Sequence, residues 1–168
     1  KKYGLGIGGS PLMCGTTDLH NRLKERIASV YCQGGAALFA SGYQALLGSV
    51  QATVGKGDAA LLDQLVHRSI VDGVTLSGCD KRMWMHNDME DLESLLERAG
   101  KKYRRMLIIV DSVYSMDGDI ANLPEMKRLA GKCGALILID EAHSLGVIGK
   151  KGHGLLDHYD MPGGADVI

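Results

Sequence analysis

Positive charge is not in surplus: 19 Lys and Arg stand against 20 Asp and Glu, for a formal net charge of −1. No basic face stands out, which argues against nucleic acid as a partner. No apolar run approaches the roughly 20 residues that a membrane-crossing helix needs. Lys1-Lys2-Tyr3-Gly4 has no apolar signal segment behind it. Cys14, Cys32, Cys79 and Cys133 are scattered and form no C-x-x-C pair, so neither a zinc site nor a disulfide framework is supported. Free thiols in a reducing compartment are the expectation. Aromatics are scarce, with one Trp, one Phe and six Tyr, whereas the 23 glycines suit tight turns where backbone approaches a ligand. The length fits one domain with a real core.

The most informative stretch runs from Ala135 to Gly146. Ala135-Leu136-Ile137-Leu138-Ile139 is an unbroken apolar run that ends abruptly in Asp140-Glu141-Ala142-His143-Ser144. Such a run reads as a strand buried on both faces. In an open parallel sheet, ligands sit beyond the carboxyl ends of the strands, so Asp140 is placed to meet one. An ATPase could use an Asp-Glu-Ala-His ending, but it also needs a G-x-x-x-x-G-K-[ST] phosphate loop. Gly55-Lys56 is followed by Gly57, and Val50 stands where the first Gly belongs. That candidate fails at both ends. Two readings remain: a cofactor site with Asp140 facing a ring nitrogen, and a strand-end Asp that merely caps the next turn.

The remainder alternates strands and helices. Gly4, Gly6 and Gly9 formally match G-x-G-x-x-G. No strand precedes them and Pro11 follows, so a ligand-covering or flexible loop over residues 1–16 is the better reading. From Thr17, capped by Thr17 or Asp18, the residues Leu19, Leu23, Ile27 and Val30 mark one helical face. Ala36–Ala40 is a short strand candidate. Ser41-Gly42-Tyr43 then opens a helix, and such a helix start either seats phosphate on free N–H groups or is an ordinary turn. Further strands are expected at 59–62, 81–85 and 106–110, and further helices from His67-Arg68-Ser69, from Met89 to about Ala99 with Asp88 as cap, and from Leu123-Pro124 to Cys133. Gly146 to Gly154 reads as a loop, and Ala165 to Ile168 as the start of a strand. This rhythm predicts an α/β fold with a mostly parallel sheet.

Six segments, in order, resemble one family. They are Gly8-Gly9-Ser10 with Gly15-Thr16, Ser41-Gly42-Tyr43, His67-Arg68-Ser69-Ile70-Val71-Asp72-Gly73, His86-Asn87-Asp88, Ser115-Met116-Asp117-Gly118-Asp119, and Asp140-Glu141-Ala142-His143-Ser144 with Gly146. The chain resembles the α-oxoamine synthases, pyridoxal 5'-phosphate enzymes of the aspartate-aminotransferase fold (type I). The resemblance implies a truncated large domain over residues 17–168 with helices on both sheet faces, preceded by the glycine-rich loop 1–16. It implies condensation of an amino acid with an acyl thioester, with decarboxylation, and a homodimer in a cytoplasmic setting, organelle import being left open. Asp140 would meet the pyridinium nitrogen, and Ser115 and His143 the phenolic oxygen. His67 would stack on the ring and move protons; Gly42 and Tyr43, with Ser41, would hold the phosphate. Asp140, His143 and His67 are thus the catalytic expectations. His86 reads as a structural turn residue, and His20, His153 and His158 as surface or satisfied groups.

This sequence departs from the family pattern at Pro11, where many members have Arg, and at Asp111, where many have Glu. The family's Schiff-base lysine is expected beyond Ile168; Lys150 and Lys151 match a non-catalytic loop. The alternatives are another type I enzyme, such as an aminotransferase or a lyase, and a regulatory subunit without the lysine.

Overall fold

The computed structural model describes residues 2–100 and 102–168. The first residue of the glycine-rich lead therefore lies outside the described residues. The chain divides into two compact units, Lys1–Leu38 and Phe39–Ile168. The first contains α1 (Asp18–Tyr31), which starts at Thr17, whose backbone N–H donates to His20 Nδ1 at 3.2 Å. Its periodic apolar residues do not form a core: Leu19 and Leu23 remain about half exposed, at 51% and 48%.

The second unit is an α/β sandwich. Its order is α2 (Gly42–Thr53), β1 (Ala59–Asp63), α3 (Arg68–Ser77), β2 (Asp80–Trp84), α4 (Met89–Ala99), β3 (Met106–Asp111), α5 (Leu123–Cys133), β4 (Leu136–Asp140) and the short α6 (Leu155–His158). The sheet order is β2-β1-β3-β4, and every pairing is parallel. A parallel bridge from Leu138 to Val167 marks the edge beyond β4, where the sequence pattern anticipates a strand start.

The alternation of side chains along each strand divides the core in two. Leu61, Ile108, Val110, Ile137 and Ile139 pack with Leu92 and Leu96 of α4 and Met126 and Leu129 of α5. Ala60, Leu62, Leu107, Ile109 and Leu138 pack with Val50 of α2 and Ile70 and Val74 of α3 on the other face. Helices thus cover both faces, as the family resemblance implies. α2 and α3 approach closely because Gly73 has no side chain: a Cβ there would lie 3.3 Å from the Leu47 Cα.

Polar side chains cap these helices, with Asp88 where the sequence expects it. Ser41 accepts from Gln44 N, Asp88 from Glu90 N and Asp91 N, and Asn122 from Glu125 N. One expectation is overturned. Ala36–Ala40 forms no strand; the segment is irregular, and among the described residues no ladder partner supplies the hydrogen bonds that a strand requires. Among the described residues, no helix is long and apolar enough to cross a membrane.

Candidate active site

β1, β3 and β4 each end in an aspartate: Asp63, Asp111 and Asp140. The chain steps from β1 outward to β2 and then returns to the other side of β1 for β3. Connections therefore diverge at the carboxyl ends of β1 and β3, which is where open parallel sheets form a ligand crevice.

Asp140 is half-buried, and its Oδ1 accepts the Ala142 N–H at 2.9 Å. It is the register partner of Asp111. Asp111 is 2% exposed and its Oδ1 accepts the backbone N–H of His67 at 3.2 Å. Burial pushes the Asp111 carboxyl up to about 7; the His67 N–H and the nearby His143 oppose this, and the charges of Asp140 and Asp63 reinforce it.

The turn after β4 is held from below by a buried network. The Ser112 hydroxyl lies 2.7 Å from both the Asp140 carbonyl oxygen and the Ser144 hydroxyl. Ser144 donates to the Glu141 carboxylate, which also accepts the Leu155 N–H at 3.0 Å. Burial pushes the Glu141 carboxyl up, against the pull of these donors. Gly154 makes room for that carboxylate: its φ is 82° and a Cβ there would collide with Glu141. Glu141 thus faces inward, while Ala142 and His143 are exposed.

His67 caps α3. Its Nδ1 accepts the Ser69 N–H at 3.3 Å and lies 2.6 Å from the Ser69 hydroxyl. An Nδ1 that accepts a backbone N–H puts the proton of the neutral ring on Nε2, and the imidazole is exposed to use it. The α2 N-terminus lies alongside the first turns of α3, because Tyr43 donates its hydroxyl to Asp72 Oδ2 at 2.9 Å and Asp72 also accepts from Arg68. Ser41 takes the Gln44 N–H, while among the described residues no acceptor meets the N–H groups of Gly42 and Tyr43. Free N–H groups at the start of a helix can accept an anion, and α2 is twelve residues long. Ser115 is exposed in the β3–α5 loop, whose limbs are joined by a bridge from Val113 to Ile120.

All the expected side chains therefore belong to segments that leave the carboxyl ends of strands or open the helices beside them. The geometry joins His67 to Asp111, and Asp111 to Asp140 and His143. Among the described residues, no hydrogen bond or ion pair joins Ser115 or the Ser41–Tyr43 turn directly to that group. Sequence reasoning gave no site role to Asp63, Asp111, Glu141 or Asp119, although it put Asp63 and Asp111 at strand ends. Three apolar runs that each end in Asp were the available signal.

The chain is similar to known proteins across nearly its whole length. The sequence profile of aminotransferase class I and II matches residues 2–162. An 8-amino-7-oxononanoate synthase from Citrifermentans bemidjiense is 47% identical over 98% of this chain and 42% of its own length. One from Alkaliphilus metalliredigens is 43% identical over 99% of this chain and 42% of its own. Among solved structures, a serine palmitoyltransferase from S. paucimobilis with a bound PLP–myriocin aldimine superposes with a TM-score of 0.92 at 38% identity, covering 98% of this chain and 41% of that one. The chain thus spans about 42% of the length of these curated relatives.

Proposed function

The chain belongs to the aminotransferase class I and II family, and on that premise we propose that the full-length protein is an α-oxoamine synthase that uses pyridoxal 5'-phosphate to condense an amino acid with an acyl thioester. The relatives' names, 8-amino-7-oxononanoate synthase and a serine palmitoyltransferase solved with a bound PLP–myriocin aldimine, support this reading. The observation that carries the reading is Asp140: a half-buried carboxylate at a strand's carboxyl end, with Oδ1 committed to a backbone N–H and no partner given to Oδ2 among the described residues.

The residues present fit that cofactor. The free N–H groups of Gly42 and Tyr43, supported by the Ser41 cap, suit a phosphate. Asp140 suits a protonated ring nitrogen, because its negative charge holds the proton there. When bound, pyridoxal phosphate supplies an electron sink for the α-carbon of the amino acid. His67 would offer Nε2 to move a proton at that carbon and a ring to stack beside the cofactor. Ser115 and His143 would hold the side of the cofactor that carries its phenolic oxygen. Asp111 fixes His67 through its backbone N–H, and the Glu141–Ser144–Ser112 network keeps Asp140 and His143 on the ligand side of the turn. The assembly we propose is a homodimer, and the setting cytoplasmic.

The test is an assay of full-length protein with amino acids and acyl thioesters. Release of free thiol and carbon dioxide that requires both substrates supports the reading. Formation of an oxo acid without thiol release contradicts it and favours an aminotransferase.

A further inference from the structure

His86 and Asn87, in the turn between β2 and α4, belong to neither the cofactor seat nor the core. We propose that they form a positioning clamp that fixes the separation between the turn carrying His67 and the loop carrying Ser115. The proposal rests on the reading that both segments serve the cofactor site.

The clamp is visible bond by bond. On one side, His86 Nδ1 lies 2.8 Å from Asp63 Oδ1, and the Asn87 N–H donates to Asp63 Oδ2 at 2.8 Å. Asp63 also accepts the Leu65 N–H at 2.8 Å, so the same carboxylate shapes the turn that leads to His67. On the other side, His86 Nε2 lies 3.0 Å from Asp119 Oδ2. The Asn87 amide donates to Asp119 Oδ2 at 3.1 Å and to the Ile120 carbonyl at 3.0 Å, and its oxygen accepts the Asn122 N–H at 3.3 Å. Asp119 to Asn122 is the returning limb of the loop whose outgoing limb carries Ser115. Asn87 adopts a φ of 54°, a left-handed conformation that Asn tolerates better than most residues. One two-residue turn therefore grips both segments.

The charge state follows from the partners. Ionised carboxylates only accept, so ring nitrogens facing Asp63 and Asp119 must both donate, which makes His86 an imidazolium. Burial disfavours that charge, but the two carboxylates outweigh it and the His86 pKa is raised. The groups facing His86 are Asp63 from β1, Asp119 and Tyr114 from the β3–α5 loop, and Asn87 beside it. Tyr114 meets the imidazole edge-on, with centroids 4.4 Å apart. Its buried hydroxyl is pushed up and stays neutral. Asp117 can bring an oxygen within 4.8 Å of His86 and Asp119 ligand atoms, but both imidazole nitrogens are already committed, so the three groups do not offer a cation site.

The experiment uses full-length protein as wild type, His86→Gln and Asp119→Asn. Amide exchange is followed without cofactor over residues 64–68 and 112–122, and pyridoxal phosphate affinity is titrated by absorbance at pH 6 and pH 8. For His86→Gln we expect exchange in both segments to rise by about tenfold with α4 unchanged, and affinity at pH 6 to fall by about tenfold. The pH 6 to pH 8 loss of affinity should be larger in wild type than in this variant. Asp119→Asn should loosen residues 112–122 alone, and it decides the matter if His86→Gln does not fold. Unchanged exchange in both segments, or a uniform rise across the chain with the wild-type pH dependence of affinity, overturns the clamp. Loosened loops in a wild-type background that binds no pyridoxal phosphate would instead overturn the cofactor reading and leave the clamp standing.

Discussion

Asp111 and Asp140 are register partners at the carboxyl ends of adjacent parallel strands, yet they differ in solvation and bonding. Asp111 is buried and accepts the His67 backbone N–H; Asp140 is half-buried, and its Oδ1 accepts the Ala142 N–H. Burial raises the Asp111 carboxyl, and the negative charge of Asp140 beside it adds to the effect. On the proposed function the pair divides a positioning role from a ligand-facing role, and each has its own test.

Replacing Asp140 with Asn keeps the side-chain shape and the acceptor for Ala142 N–H while removing the charge. We expect turnover of the full-length protein to fall by about 10²-fold or more with an unchanged melting temperature. Steady-state kinetics and a thermal melt check this together. Near-normal turnover would reduce Asp140 to a strand-end cap.

Asp111 carries a pH signature. Its folded pKa of about 7 lies above its ordinary value of 3.8, so the folded state holds this proton more tightly. The resulting stability is fully present below pH 3.8 and is lost as pH rises through about 7. Asp111→Asn removes the titration while keeping an acceptor for His67 N. Denaturation of cofactor-free full-length protein should find the variant more stable than wild type at pH 8, by on the order of 2 kcal/mol, with little difference at pH 4. A variant that is equally destabilised at both values contradicts this.

The α2 start gives a chemical discrimination. Ser41→Ala removes the cap on Gln44 N, worth about 1 kcal/mol to the helix end. If this end seats phosphate, pyridoxal phosphate affinity should fall several-fold while affinity for pyridoxal without phosphate is unchanged. Equal losses for both would make Ser41 a cap alone. Absorbance titration with the two compounds reads the difference.

The proposed homodimer is checked by sedimentation of the full-length protein across a range of concentrations. A dimer should persist at the concentrations where the protein is active. A monomer with full activity throughout contradicts the assembly.

Much of this architecture could be read from residue order. The runs at Leu107–Val110 and Leu136–Ile139 announce strands because parallel strands covered on both faces have no polar side. Asp88, Ser41 and Asn122-Leu123-Pro124 announce helix starts through local chemistry. Ala36–Ala40 misled because an apolar run becomes a strand only with a neighbour to pair with. The four residues of α6 are too few for periodicity to register. His86 reads as a turn residue in sequence, and it does sit in a turn. Its partners Asp63 and Asp119 lie 23 and 33 positions away, and no local pattern brings such distant residues together. Glu141 was hidden for a similar reason, since its burial depends on the distant Gly154.

The account stands most directly on one chemical measurement. Full-length protein is mixed with pyridoxal phosphate, its visible absorbance recorded, the complex reduced with borohydride, and the labelled peptide identified. We predict a yellow protein with the label on a single lysine in the part of the relatives' length that residues 1–168 do not span. No absorbance and no labelled peptide, or a label on Lys150 or Lys151, would contradict it.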